Sequence, residues 1–352
     1  MIGIIIITIL VAFIFDFVNG MNDAANSIAT IVSTKILSPS NAVIWAAFFN
    51  FVALFIYGTH VAKTLGSGIV RLENDFVNVY MILAALLGAI IWAYFFCARF
   101  GIPVSSSHSL IGGLIGAALV KGGYAALILG PNFFETKIFI IFLFIFIAPI
   151  IGMIGGYFIM VLTMWICRKR NPSKVDRFFR VGQLVSSAAF SLGHGGNDAQ
   201  KTMGIIAMLL YSSRNEPLIR DYLYQFDDFR VPLWVIFGAH FMIAMGTLAG
   251  GWKIVKTMGS KITHLKPVGG FSAETAGAAT LYWATMAGIP VSTTQTIAGS
   301  IMGVGTTRGL SAVKWGLAGN IIATWLLTIP CSAILSAIVY FIITLLQPYL
   351  PA

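Results

Sequence analysis

One short stretch of this chain is written twice, and that repetition limits the possible folds more than any other feature. Residues 102–116 read IPVSSSHSLIGGLIG and residues 289–303 read IPVSTTQTIAGSIMG. Ser106, Ser107 and Ser109 in the first copy answer Thr293, Thr294 and Thr296 in the second. Each copy is a proline, a run of hydroxyls, then an apolar segment of small residues. This is the chemistry of a helix start: proline presets the turn, Ser or Thr caps, and the first backbone N–H groups have no acceptor within the helix. Such an end attracts anions. Two of them in one hydrophobic chain suggest a single anion held between two related halves.

Other markers repeat in the same order. Asn22-Asp23-Ala24 recurs as Asn197-Asp198-Ala199, and KTLGSGI from Lys63 recurs as KTMGSKI from Lys256. Pro149 and Pro330 each interrupt a long apolar segment. This is an internal duplication, which we divide into a first repeat, 1–167, a basic linker, 168–180, and a second repeat, 181–352.

The chain is 58% hydrophobic and only 10% charged, with a mean hydropathy of +0.89, which marks an integral membrane protein. Apolar stretches at Ile2–Val18, Ala42–Ala62, Val77–Ala98, Ile138–Cys167, Val231–Gly251 and Trp315–Leu346 reach or approach the ~20 residues of a membrane-spanning helix. Ile2–Val18 lacks a basic lead and runs straight into polar sequence, so it does not read as a cleaved signal. Cys97, Cys167 and Cys331 fall in apolar segments without metal spacing and read as packing residues.

The net charge of +10 would suggest nucleic acid only if the charges were spread over one face. They are confined to particular loops instead. Arg168, Lys169, Arg170, Lys174, Arg177 and Arg180 stand against Asp176 alone in the central linker, which the positive-inside rule makes cytoplasmic. The loop Ser212–Arg230 mixes Arg214, Arg220 and Arg230 with Glu216, Asp221, Asp227 and Asp228, and fits outside. Lys253–Lys266 carries lysines and no acid and fits inside, whereas its counterpart Lys63–Asp75 is balanced and fits outside. The pattern closes only if each half crosses the membrane an odd number of times, which inverts one half relative to the other. This is the inverted-repeat architecture of secondary transporters. A multi-pass, all-α protein of the plasma (inner) membrane is expected, with both termini outside.

Two pairs of segments depart from plain spanning helices. Ile2–Leu37 is interrupted by residues 19–23 and Val181–Tyr211 by residues 193–198, where glycine and Asn/Asp predict unwound backbone. The two proline-hydroxyl segments are the other pair, and predict either re-entrant hairpin tips or broken helices.

Acids at membrane depth are costly unless paired, protonated or ion-bound. Asp23 and Asp198 read either as caps within the two interruptions or as cation ligands, with unwound carbonyls and amide oxygens suiting a hard ion such as sodium. Asn22, Asn26 and Asn197 can ligate a cation through their carbonyls or donate to anion oxygens. Glu274 is a further candidate cation ligand or an interfacial salt-bridge partner, and it has Leu87 as its counterpart. Asp16, whose counterpart is Ser191, reads equally as structural or as a proton relay. An anion of phosphate type would be held by Ser105, Ser106, Ser107, Ser292, Thr293 and Thr294, against the plainer reading that these hydroxyls only cap or bond across helices. His108 answers Gln295, and either can bond an anion oxygen or sit as a satisfied core residue, as can His194. Lys201 stands where the first copy has Asn26. It either pairs with Asp198 or helps to hold the anion. His60, His240 and His264 form no metal pattern.

No Walker loop, nucleophile elbow or zinc helix is present, so the chain does not read as an enzyme and no resident cofactor is expected. Transport would draw on an ion gradient. At GMNDAANSIAT and GHGGNDAQKTMG the chain resembles the inorganic phosphate transporter (PiT) family, defined by a duplicated Gly-x-Asn-Asp-x-Ala-Asn-type motif, and the two Pro-x-Ser stretches match it too. The resemblance spans nearly the whole chain. It implies a sodium- or proton-coupled phosphate symporter of about twelve helical elements with inverted repeats, extracellular termini and often a dimer. It places the family's aspartates on Asp23 and Asp198, its hydroxyl runs on Ser105–Ser107 and Ser292–Thr294, and its acid before the second run on Glu274. Lys201 departs from it, standing where a neutral residue is expected, and so does Gln295, where many members carry histidine. The reading is import of phosphate with cations, sodium first, by alternating access. A proton-coupled metal-phosphate or sulfate symporter, an anion channel and a phosphate-binding receptor are the alternatives.

Overall fold

The computed structural model of the chain describes residues 2–73, 76–94, 100–101 and 103–346. Twelve α-helices lie among them: α1 Ile2–Ser33, α2 Pro39–Val52, α3 His60–Gly68, α4 Val79–Trp92, α5 Ser106–Gly122, α6 Lys137–Cys167, α7 Pro172–Ser212, α8 Leu233–Ala249, α9 Trp252–Lys256, α10 Pro267–Met286, α11 Thr293–Thr306 and α12 Trp315–Leu346. No strand is found among the described residues. Helix starts follow local capping chemistry: Ser38, Ser105, Thr136, Asn171 and Ser292 each accept a first-turn N–H through their side chains. The non-helical connection between α6 and α7 is confined to residues 168–171, so most of the basic linker forms the opening turns of α7.

Four helices (α1, the segment Ser106–Ala126, α6 and α12) are long and apolar enough to cross a membrane. The pairs α2–α3 and α8–α9 qualify jointly but bend by 79° and 66°. Helices α6 and α12 turn large apolar side chains outward, among them Phe142, Phe146, Phe158 and Trp165 on one and Leu326, Ile334, Ile338 and Phe341 on the other. Such faces suit the hydrocarbon of a bilayer. The protein is a multi-pass membrane protein.

The two proline-hydroxyl segments are the tips of helical hairpins, α4–α5 and α10–α11. Each tip is entered through a glycine at positive φ, Gly101 at 63° and Gly288 at 69°. Each hairpin packs against the last long helix of the opposite half: α4 and α5 on α12, α10 and α11 on α6. Small residues permit this. A Cβ on Gly112 or Gly116 would lie 2.5 Å from the Ile329 carbonyl oxygen or 2.1 Å from that of Ala333 in α12. On the α6 side, a Cβ on Gly299 or Gly303 would lie 2.2 Å from the Pro149 oxygen or 1.9 Å from that of Met153. Backbone-to-backbone contact of this kind is the usual use of glycine between membrane helices.

One expectation is overturned. Residues 19–23 and 193–198 are not unwound: α1 and α7 run through them without interruption. Their glycines serve approach, not flexibility. A Cβ on Gly20 would sit 2.3 Å from the Ile243 oxygen, one on Gly195 2.4 Å from the Asn50 oxygen, and one on Gly196 2.2 Å from the Tyr57 ring. The bends lie instead at residues 56–59 and 250–251, a few residues before KTLGSGI and KTMGSKI. Cys97 and residues 1 and 347–352 lie outside the described residues; Cys167 and Cys331 are unpaired thiols.

Candidate functional site

The hairpin tips meet in the middle of the molecule, where α1 and α7 pass. His108 and Gln295, counterparts in the two copies, face each other with Nδ1 and Nε2 3.5 Å apart. Counterparts touching across one point are what a local two-fold relation produces. Ser105 and Ser292 cap their own helices, accepting from the N–H groups of His108 and Gln295 at 3.3 Å each. That leaves the N–H groups of Ser106 and Ser107, and of Thr293 and Thr294, without acceptors inside their helices.

The next hydroxyls reach the paired acids. Ser106 donates to Asp23 Oδ2 at 2.8 Å and lies 2.5 Å from Asn19 Oδ1. Thr294, on the other tip, donates to Asp23 Oδ1 at 3.1 Å. A single carboxylate on α1 is therefore stitched to both tips. On α7, Asp198 accepts from Thr293 at 3.1 Å, lies 3.2 Å from His194 Nε2 and pairs with the Lys201 ammonium. Asn26 donates to Thr293 at 3.2 Å and to Thr294 at 2.9 Å. Lys201 donates to Ser107 and, at 3.0 Å, to the Val291 carbonyl. Asp23, His194 and Asp198 each bring one ligand atom within 4.8 Å of the others.

The centre is closed to solvent: Asp23 is 3% exposed, Asp198 0%, Ser106 4% and Thr293 1%. Its satisfaction is uneven, although burial ordinarily demands partners. Asn22 Nδ2, Asn26 Oδ1, Asn197 Oδ1 and Gln295 Oε1 have no hydrogen-bond partner among the described residues. Asn197 otherwise donates to Thr285 at 2.9 Å. Asn26 and Gln295 lie at the meeting of the tips, and the mixture of unspent donor and acceptor atoms suits an oxyanion together with a hard cation.

Glu274 does not join Asp23 and Asp198. It sits in a separate buried cluster between α1, α7 and α10, accepting from Thr30 at 2.5 Å, Gln183 at 3.0 Å and Ser186 at 2.5 Å. Asp16 is fully buried, with the side chains of Thr202 and Asn19 as its polar neighbours. His194 also touches Asn50 Oδ1 at 3.2 Å, and Asn50 in turn donates to Thr247 at 2.9 Å.

His194 is a candidate in the sequence; Asn19 is not, and could have been found from spacing, because it lies four before Asp23 as His194 does before Asp198 and so shares a helix face with it. Thr30, Gln183 and Ser186 could not. They converge on Glu274 from separate helices, and no repeated motif marks them.

Comparison with known proteins identifies the family. Residues 19–336 match the phosphate transporter family. The chain is 52% identical over 333 residues to a protein of Rhizobium meliloti (strain 1021) named "Probable low-affinity inorganic phosphate transporter", covering 95% of this chain and 94% of the other. It is 43% identical over 350 residues to a Bacillus subtilis (strain 168) protein of the same name, covering 97% and 99%. A solved structure described as "The sodium-dependent phosphate transporter" superposes with a TM-score of 0.81 at 26% identity, covering 97% of this chain and 99% of that one.

Proposed function

Because the chain belongs to the phosphate transporter family, we propose that it imports inorganic phosphate together with sodium by alternating access. The observation that carries this reading is the double attachment of Asp23, which accepts from Ser106 of one tip and Thr294 of the other. A cation on that carboxylate and an anion between the tips would share hydroxyls, so that each stabilises the binding of the other. Phosphate takes the free N–H groups of the two helix starts and the hydroxyls of Ser105, Ser106, Ser107, Ser292, Thr293 and Thr294, with Asn22, Asn197, His108 and Gln295 around it. Sodium takes oxygens of Asp23, Asn22, Asn26 and Asn197, with the Lys201-paired Asp198 within 4.8 Å of Asp23, and Glu274 forms a second stop for a cation.

Charge explains the coupling. Each negative charge entering an inside-negative cell costs ~2.3 kcal/mol per 100 mV, which cations moving with phosphate offset. The sodium-dependent structural relative supports sodium as the partner ion. The chain then sits in the plasma (inner) membrane with both termini outside. Asp23→Asn keeps the size of the side chain and removes its charge, and is expected to abolish sodium-driven phosphate accumulation in proteoliposomes. Undiminished accumulation by this variant would falsify the reading. Imposing sodium and proton gradients one at a time on the wild-type chain identifies the driving ion.

A further inference from the structure

Lys201 and Asn26 occupy equivalent positions in the two repeats, and they act alike. Each reaches across to the tip of the opposite half: Asn26 to Thr294 at 2.9 Å, Lys201 to Ser107. Thr294 and Ser107 are themselves counterparts. What differs is charge. The Lys201 ammonium, on a side chain only 1% exposed, spends its three N–H donors on the Asp198 carboxylate, the Ser107 hydroxyl and the Val291 carbonyl. Carboxylate, hydroxyl and carbonyl oxygens are the shell a hard monovalent cation would take. In the first repeat the equivalent carboxylate, Asp23, accepts hydroxyls only, and Asn26 Oδ1 has no partner among the described residues.

We propose that the Lys201 ammonium is a tethered cation standing permanently in one of two equivalent cation sites, so that only the Asp23 side takes up and releases a free ion. The inference rests on the cation-coupled reading above. A tethered charge neutralises Asp198 throughout the cycle but cannot be released on the far side, so it contributes nothing to coupling. The transporter therefore moves one cation fewer per phosphate than a symmetric site would.

The test is the sodium-to-phosphate ratio from paired radiolabelled fluxes in proteoliposomes containing the full chain. K201N recreates the chemistry of Asn26 and is expected to raise that ratio by one sodium. The exchanged variant N26K/K201N carries the ammonium to the other side and is expected to return the ratio to the wild-type value. An unchanged ratio in a transporting K201N overturns the inference. If K201N does not transport, calorimetric sodium binding to the purified protein, checked for folding by gel filtration, decides. One additional site relative to wild type supports the inference and none overturns it; K201Q replaces K201N if the latter does not fold. A wild-type chain without sodium-coupled uptake removes the proposed function itself, whatever K201N does.

Discussion

Ser106 meets both Asn19 and Asp23 of α1 through its hydroxyl, and in the proposed site it also faces phosphate. A hydrogen bond to a charged acceptor is worth about 1.5–3 kcal/mol, so Ser106→Ala is expected to raise the phosphate concentration for half-maximal uptake by on the order of tenfold or more. Fold should be unaffected, because Ser105, not Ser106, caps α5. Equal half-saturation in variant and wild type would detach Ser106 from the site. Glu274→Gln separates charge from shape in the second cluster. The amide fills the same space among Thr30, Gln183 and Ser186, so the expected change is a higher sodium requirement at an unaltered melting temperature. Duplication made the central residues legible: Asp23 and Asp198 announce each other, as do Ser106 and Thr293. Glu274 has Leu87 for a counterpart, so nothing in the repeat could reveal its partners.

At the scale of elements, the sequence located helix starts well and misread glycine. Proline followed by hydroxyls does open α5 and α11, each with the expected serine cap. Glycine beside Asn-Asp predicts unwinding of α1 and α7, but those helices are continuous and their glycines admit Ile243, Asn50 and Tyr57 at close range. Sequence composition does not distinguish a glycine that bends a helix from one that lets a neighbour in. The first is decided by its own φ, the second by a partner far away in the chain. Gly288 belongs to the first kind, with φ at 69° leading into the second tip. Gly288→Ala is expected to cost about 1–2 kcal/mol, seen as a lower melting temperature of the purified protein. Gly303 belongs to the second kind, and Gly303→Val should disperse the α6–α11 contact, because its Cβ would fall 1.9 Å from the Met153 oxygen. A monodisperse, fully active Gly303→Val protein would contradict that packing.

For the molecule as a whole, basic loops argued an inverted arrangement, and this carries its own check. The variant Ser173→Cys, in the basic first turn of α7, is expected to react with a membrane-impermeant maleimide in inside-out vesicles but not in intact cells. The repeat markers were legible in sequence. The exchange of hairpins between halves was not, because it depends on which long helix offers a groove of the right depth. That exchange bears on how the protein is made. The α4–α5 hairpin has its wall in α12, which leaves the ribosome after all the other described helices. Until then a polar tip carrying Ser105, Ser106 and Ser107 must wait without this neighbour, so the centre is completed only after the second repeat has been made. Neither half, synthesised alone, possesses a complete binding cradle, and separately expressed halves would become functional only by finding each other in the bilayer.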